Sequence, residues 1–344
     1  MVKKSWIFAS LVLICGLVLL CGCTSTQNTA PSAGDEAKAK PADTEKTTLN
    51  IGYQPSDHQL AFMTAYSKGM YNESLAPLGV KEVIPYSFPT GAPEMQAMMA
   101  GDIDFAYVGA APFVTAVATG LDAKIIGSVQ TQGSSLVLRN GLNYSAPQDL
   151  KGLTIATFPA GTIQDTILKT WLKEQGIDPE KDLKIVAMGP GDAVTAIMAG
   201  KIDAAFLPSP SPVSIEEAGA GEIIVQSGEM SPDHVCCVLV ASGPMIRDHP
   251  EVVEEVLQIH QQATEFNKQN PEQAAEYMAK MTSVNASTIM KSLKEWDGHW
   301  VSDPTLIEKS VSGYADEQAK LGYITANLTA SDLIDTSFWK QIHP

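Results

Sequence analysis

The amino-acid sequence predicts an α/β protein made of two similar lobes, each an open, mostly parallel sheet with flanking helices. Three observations support this prediction. The chain has 344 residues, more than one hydrophobic core usually organises, so two lobes are expected. One stretch of sequence occurs twice, and in both halves apolar runs of strand length alternate with amphipathic segments of helix length.

The repeated stretch relates residues 95–112 to residues 194–211 at an offset of 99 positions. The pentapeptide Ala-Gly-x-Ile-Asp recurs in register, beginning at Ala100 and at Ala199. Each copy predicts a short amphipathic helix, a glycine that ends the helix in left-handed backbone, and a strand buried on both faces. Similar patterns upstream extend the repeat, so each half predicts the order β-α-β-α-β with right-handed crossovers.

The remaining sequence predicts how the two halves are joined. The helical pattern from Pro250 onward is expected to return to the first lobe after a two-strand hinge near residues 139–141 and 241–243. The expected organisation is a first lobe of residues 47–139 plus 242–344 and a second lobe of residues 140–241.

The amino terminus predicts a processing signal. Lys3 and Lys4 precede a nearly unbroken apolar run that ends at Leu20. This order is typical of a secretory signal, and the apolar run is short for a membrane-spanning helix. Leu-Cys-Gly-Cys, ending at Cys23, resembles the lipobox of prokaryotic lipoproteins, in which the last cysteine is lipidated. The resemblance implies a signal peptide over residues 1–22 and lipidation at Cys23, with an uncleaved membrane anchor as the alternative. Residues 23–46 predict a flexible spacer.

Charge and motifs restrict the function. The net charge is −16, which disfavours nucleic acid because such partners require neutralised phosphates. Arg139 and Arg247 are the only arginines, so an anionic ligand must be bound mainly by backbone amides, hydroxyls and side-chain amides. The sequence has no Gly-x-Ser-x-Gly, His-Glu-x-x-His or Walker motif, so it predicts neither an enzyme nor a cofactor.

Five segments resemble the nitrate/sulfonate/taurine-type binding proteins of ABC importers, over about residues 47 to 340: Ile51–Pro55, Met99–Pro112, Ser135–Arg139, Leu150–Ile155 and Met198–Ala204. The resemblance implies a two-lobe type II periplasmic-binding-protein fold. It also implies closure on a small solute and docking on an ABC permease. We expect a monomer that is exported and held by its lipid anchor at the outer face of the cytoplasmic membrane or in the periplasm.

Candidate ligand-binding residues lie where strands run into helices. Ligands of open parallel sheets bind beyond the carboxyl ends of the strands, where helix amino termini offer free N–H groups. Asp57 and Asp192 fit helix capping as well as ligand contact, and the small residues fit tight packing as well. The first-lobe candidates are Gln54, Ser56, Asp57, Thr90, Gly91, Gly109, Ala110 and Ala111; the second-lobe candidates are Gly161, Thr162, Asp192, Pro208 and Ser209.

Cys236 and Cys237 are adjacent in a predicted strand. Because consecutive strand side chains alternate between faces, we expect that both do not face one ligand. Buried, unreactive cysteine is the favoured interpretation; a disulfide between them, or one cysteine lining the cleft, are the alternatives. His234 with a cysteine would need two further ligands to bind a metal, so no metal site is predicted.

The predicted function is that of an importer's binding protein for a small anionic solute of the aliphatic sulfonate, taurine or nitrate class. The alternative is a pyrimidine-precursor binding protein or a pyrimidine-synthase-like enzyme of the same superfamily. Pyrimidine synthases of this superfamily contain a cysteine-rich stretch, and Cys236-Cys237 resembles it in part. The secretory signal argues against the enzyme, because biosynthesis uses cytosolic substrates. A ligand-sensing ectodomain would require a spanning helix and an intracellular output domain.

Overall fold

The computed structural model describes residues 46–344. The predicted signal peptide over residues 1–22, the anchor at Cys23 and almost all of the spacer over residues 23–46 lie outside these residues. The strands, numbered along the chain, are β1 (Thr48–Tyr53), β2 (Glu82–Ser87), β3 (Phe105–Gly109), β4 (Ala123–Thr131), β5 (Ser134–Arg139), β6 (Thr154–Thr157), β7 (Lys184–Ala187), β8 (Ala204–Pro208), β9 (Gly221–Gln226), β10 (Val235–Ser242) and β11 (His299–Trp300).

The strands form two separate sheets with equivalent topology. The first has the order β2-β1-β3-β10-β4-β11, and the second has the order β7-β6-β8-β5-β9. In each sheet the first three of these strands are parallel, and the fourth is antiparallel to both of its neighbours. The predicted pair of open α/β sheets is therefore confirmed, with parallel pairing among the first three strands of each sheet and antiparallel pairing in the rest.

Helices cover both sheets. They are α1 (Leu60–Ser67), α2 (Met70–Leu75), α3 (Gly91–Ala100), α4 (Ala110–Ala118), α5 (Ile163–Glu174), α6 (Pro190–Met198), α7 (Ser211–Glu217), α8 (Ser227–Met230), α9 (Gly243–Asp248), α10 (Pro250–Gln269), α11 (Pro271–Met281), α12 (Ala286–Glu295), α13 (Glu308–Leu321), α14 (Ala330–Leu333) and α15 (Ser337–Ile342). Within residues 46–344, none of the helices has the length and apolar character needed to cross a bilayer.

The structure explains why the aspartate recurs in the repeat. The Asp104 carboxylate accepts a hydrogen bond from the backbone N–H of Asn50 in β1, at 2.8 Å. In the second copy, the Asp203 carboxylate accepts from the backbone N–H of Thr154 in β6, at 3.0 Å. Each aspartate thus joins the loop before a central strand to the neighbouring parallel strand and satisfies a backbone donor of that strand.

The chain crosses between the sheets at different points from those predicted. β5 belongs to the second sheet and β10 to the first, so the crossings lie between β4 and β5 and between β9 and β10. The segments predicted as hinges, near residues 139–141 and 241–243, lie instead at the far ends of β5 and β10. Left-handed backbone occurs at both actual crossings, with φ of +58° at Gln132, +84° at Gly133 and +56° at Asp233. An apolar run predicts that a strand is buried, but it does not specify the sheet that accepts it.

Helices of the carboxyl-terminal segment connect the two lobes on both sides. On one side, the Gln318 side chain of α13 donates to the carbonyl oxygens of Ala111 and Gly161, both at 2.9 Å. On the other side, the Thr288 hydroxyl of α12 donates to the Glu217 carboxylate at 2.6 Å. The lobes therefore lie in contact, with a closed cleft between the two sheets.

Candidate functional site

A small cavity lies in this cleft, at the carboxyl ends of the central strands of both sheets. Its volume is about 20 Å³, on the order of one or two water molecules. From the first lobe it is lined by Gln54, Ser56, His58, Gly91, Gly109, Pro112, Cys236 and Cys237, and from the second by Phe158, Thr162, Ile163, Gln164 and Pro208.

Three helices begin at the cavity wall. Gly91 is the first residue of α3, Gly109 is the cap of α4, and Ile163 is the first residue of α5. The first turn of each helix has N–H groups without intrahelical acceptors, and the helix dipole adds positive potential there. The convergence of three such termini makes the cavity suited to a negatively charged group.

The glycines at two of these termini are required by close packing. A Cβ atom on Gly91 would lie 2.6 Å from Pro112 Cγ, and one on Gly109 would lie 3.0 Å from Ile163 Cγ1. Gly109 and Ile163 face each other across the cleft, so the absence of a side chain at Gly109 allows the lobes to approach.

The thirteen predicted site residues fall into three groups. Six of them line the cavity: Gln54, Ser56, Gly91, Gly109, Thr162 and Pro208. Six more lie close to these in the chain without lining the cavity: Asp57, Thr90, Ala110, Ala111, Gly161 and Ser209. Asp192 lies apart on the exposed first turn of α6.

Gly161 forms part of the contact between lobes. Its backbone is left-handed, with φ of +82°, and its carbonyl accepts from Gln318 of α13. Its N–H donates to the Asp165 carboxylate at 3.2 Å. The Thr162 hydroxyl donates to the carbonyl of Pro159 at 2.7 Å, which fixes the loop before α5 and leaves the oxygen lone pairs of Thr162 at the cavity.

Two carboxyl groups are buried beside the cavity. Gln54 donates its side-chain amide to Glu94 at 2.8 Å, and burial raises the pKa of Glu94 well above its usual value. Burial also raises the pKa of Asp57 to about 6, although His58 and the Ser292 hydroxyl act in the opposite direction. Neither Asp57 carboxylate oxygen makes a hydrogen bond of regular geometry within residues 46–344. None of the cavity-lining residues in the described part of the chain is a lysine or an arginine.

His58, Cys236 and Cys237 form a buried cluster at the cavity wall, which we call the His-Cys-Cys cluster. His58 Nδ1 lies 3.3 Å from Cys236 Sγ and 4.0 Å from Cys237 Sγ, and the two sulfurs are 3.9 Å apart. Sequence reasoning was wrong to expect the two cysteines on opposite faces. The register between β10 and β4 shifts on both sides of Cys237 and skips Cys236, and such irregular pairing redirects side chains that would otherwise alternate.

Neighbouring groups shift the ionisation of this cluster. Contact with Cys236 lowers the pKa of the Cys237 thiol, with help from His58, while burial opposes the shift. Contact with Cys237 and burial raise the pKa of the Cys236 thiol. Burial acts to lower the pKa of His58, but Cys237, Asp57 and the Gly133 carbonyl together raise it above its usual value.

Sequence reasoning did not single out several cavity residues. His58 follows Asp57 directly, so its place in the loop after the first predicted strand was the available signal. Gln164 lies two positions after the predicted site residue Thr162, in the first turn of α5, so its position at the start of a predicted helix was a signal of the same kind. Phe158 and Pro112 carry no comparable signal, because an apolar residue near a strand end also fits ordinary core packing.

The fold and the cleft define the class of protein: a two-lobe α/β binding protein of the periplasmic-binding-protein type. The chain belongs to the NMT1-like family, whose model matches residues 42–283.

Individual proteins agree with this assignment. The chain is similar to a protein of Bacillus subtilis named for binding aliphatic sulfonates, with 24% identity over 96% of this chain and 95% of the relative. The alkanesulfonate-binding protein of Xanthomonas axonopodis, solved with MOPS bound, has a TM-score of 0.75 at 18% identity and covers 85% of this chain and 99% of its own. The periplasmic nitrate-binding protein of Synechocystis has a TM-score of 0.72 at 17% identity, and the match covers 86% of this chain and 88% of the nitrate-binding protein. At these identities the solved structures establish the fold.

Proposed function

We propose that this protein is the exported solute-binding component of an ABC importer and that it binds a small anionic solute of the aliphatic sulfonate, taurine or nitrate class in the cleft. The observation that carries this proposal is the convergence of the amino termini of α3, α4 and α5 on a cavity between two lobes. Backbone N–H groups at helix termini bind anions without lysine or arginine. Relatives named for sulfonate and nitrate binding support the same class.

The proposed contacts come from both lobes. In the second lobe, the first turn of α5 presents the N–H groups of Ile163 and Gln164, while Thr162, whose hydroxyl donates to Pro159, fixes the loop that positions them. In the first lobe, Gln54 and Ser56 offer polar side chains, while Gly91 and Gly109 expose backbone. The other predicted residues act indirectly: Asp57, Thr90, Ala110, Ala111, Gly161 and Ser209 position the residues that line the cavity, and Asp192, on the exposed first turn of α6, does not contact the solute.

Solute entry requires the lobes to separate, because residues of both lobes line the cavity. The cavity volume is about 20 Å³ in this arrangement, so the lobes close less tightly when a solute lies between them. The crossing segments at Gln132–Gly133 and near Asp233 are the places where the backbone can absorb this motion. A solute that contacts both lobes gains affinity only in the closed arrangement, so binding favours closure. The closed form is then the one presented to a permease.

The proposed setting follows from the amino terminus. Lipidation at Cys23 would hold the mature chain at the outer face of the membrane, where it would act as a monomer. The spacer of residues 23–46 would span the distance between the lipid anchor and the permease. Binding and release involve no covalent step, which accords with relatives that are named as binding proteins.

A screen of solutes tests the proposal. Taurine, ethanesulfonate and nitrate are added separately to the purified chain, and the melting temperature is followed; at least one is expected to raise it, because a ligand that binds only the folded state stabilises it. Ser56→Ala should weaken binding of that solute about three- to tenfold through loss of one hydrogen bond. Ser145→Ala, at an exposed position, is the matched control and should bind as the wild type does. The absence of a shift with every solute, or equal affinities of all three proteins, would contradict the proposal.

A further inference from the structure

The His-Cys-Cys cluster has the dimensions of a metal site. Bond lengths of about 2.3 Å for Zn–S and 2.0–2.1 Å for Zn–N with tetrahedral angles place two sulfurs about 3.8 Å apart and a nitrogen about 3.6 Å from each sulfur. The structure has 3.9 Å between the sulfurs, and 3.3 and 4.0 Å from His58 Nδ1 to them. An ion could therefore bind to all three atoms with shifts of a few tenths of an ångström.

The orientation of His58 also fits metal binding. Its Nε2 lies 2.7 Å from the carbonyl oxygen of Gly133, so Nε2 carries the proton and donates it there. In the neutral ring, which is the form that binds a metal, Nδ1 then has its lone pair directed at the two sulfurs. A hydrogen bond from the second ring nitrogen to a carbonyl is the usual support of a histidine ligand, since it fixes both tautomer and ring plane.

Burial and charge favour a cation at this place. The exposed fractions of His58, Cys236 and Cys237 are 1%, 2% and 4%. A divalent cation would offset the charge of both thiolates, whereas two neighbouring buried thiolates alone would repel each other.

We propose that His58, Cys236 and Cys237 form a three-ligand binding site for a thiophilic metal ion of the Zn²⁺ type. Sulfur and imidazole ligands favour such ions over Mg²⁺ or Ca²⁺. All three residues line the cleft cavity, so the fourth coordination position faces the space where a solute would lie. Metal binding releases to solvent the protons that the two sulfurs and His58 Nδ1 carry.

The fourth position gives the metal a second role, which rests on the proposed function. A sulfonate or carboxylate oxygen of a solute can occupy that position, and the ion then supplies the positive charge that lysine and arginine do not supply among the described lining residues. The metal site itself stands without this role, because its three ligands all belong to the chain.

Cobalt and zinc titrations test the metal site. The reference is the full chain with Cys15→Ser, Cys21→Ser and Cys23→Ser, so that Cys236 and Cys237 are the only thiols. After reduction and chelator treatment, Co²⁺ is added and followed by absorbance; the expected result is one equivalent bound, with thiolate-to-cobalt charge-transfer bands that Zn²⁺ displaces. Zinc should also protect both thiols from alkylation. No solute is present, so this result is independent of the solute screen.

Variants assign the ligands. Cys236→Ser, Cys237→Ser and His58→Ala in the reference chain should each weaken Zn²⁺ binding at least about tenfold, as expected for the loss of one ligand. His299→Ala, at an exposed histidine, is the control and should bind as the reference does. Circular dichroism verifies that each variant is folded. The proposal is overturned if the reference chain shows no charge-transfer bands, or if Cys236→Ser with Cys237→Ser retains the zinc affinity of the reference.

Discussion

His260 is a buried histidine that the cleft does not use. It lies in α10, has an exposed fraction of 0%, and has Nε2 2.8 Å from the carbonyl oxygen of Ser128 in β4. Burial, with a smaller contribution from Lys268, lowers the pKa of His260 to about 4, although the Ser128 carbonyl acts in the opposite direction. The neutral imidazole is therefore the form that the folded protein accommodates.

Acid should destabilise the fold through this residue. The folded pKa of about 4 lies below the unfolded value of about 6.5, so His260 contributes fully above pH 6.5 and its contribution is lost as the pH falls toward 4. The loss can reach roughly 3 kcal/mol of unfolding free energy. Urea unfolding at pH 7 and pH 4.5 measures it. His260→Gln should show a smaller loss between the two pH values, whereas the exposed control His299→Gln should behave as the wild type. Equal losses in all three proteins would show that His260 is not responsible.

At the scale of elements, the segment that crosses between β4 and β5 contacts the candidate site directly. The Gly133 carbonyl faces His58, and the Gly133 N–H donates to the Asp297 carboxylate at 2.8 Å. The other oxygen of Asp297 accepts from the N–H of Gly228 at 2.6 Å, at the start of the second crossing. One aspartate thus joins both crossing segments to the carboxyl-terminal part of the chain.

Gly133→Ala should destabilise the protein for two reasons. Its φ of +84° costs an L-residue about 1–2 kcal/mol. A Cβ atom there would also lie 2.5 Å from Gln130 Nε2 and 2.9 Å from both His58 Nε2 and a Trp296 ring carbon. Gly141 has a similar φ of +89° with nothing within 4 Å of its Cβ position, so Gly141→Ala is a control for the backbone strain alone. Denaturant unfolding should show a larger loss for Gly133→Ala than for Gly141→Ala. A loss no larger than that of Gly141→Ala would show that crowding around position 133 does not contribute to the loss of stability.

The sequence predicted elements better than it predicted their partners. The repeat around Ala100 and Ala199 specified a helix, a left-handed glycine and a buried strand, and Gly101 and Gly200 have φ of +82° and +63° as predicted. The sequence did not predict that β5 belongs to the second sheet and β10 to the first, because the apolar runs of both strands fit either sheet. The irregular pairing at Cys236 depends on neighbouring strands, so the alternation rule failed there.

At the scale of the whole molecule, the candidate site combines segments that are distant in the chain. The loops after β1, β3, β6 and β8 were predictable, since parallel strands present their carboxyl ends at one edge of a sheet. β10 contributes Cys236 and Cys237 from a strand that the chain reaches only after crossing the second lobe. Its position beside β3 follows from tertiary packing, with Cys237 opposite Gly109, and no local pattern could indicate it.

Closure of the two lobes around a solute is the central claim, and Gly109 is the position that tests it. Gly109 has φ of −62° and ψ of 140°, which any residue can adopt, yet a larger side chain would meet Ile163 of the opposite lobe. Gly109→Val should therefore fold but hold the lobes apart. Gly313→Ala, in α13 with nothing within 4 Å of its Cβ position, is the control.

Calorimetric titration of the wild type and both variants with taurine, ethanesulfonate and nitrate is the most direct measurement. We expect one solute to bind the wild type and Gly313→Ala at a single site with equal affinity. Binding to Gly109→Val should be at least about tenfold weaker, because each tenfold corresponds to about 1.4 kcal/mol of lost contacts across the cleft. Equal affinity of Gly109→Val and the wild type would contradict binding between closing lobes.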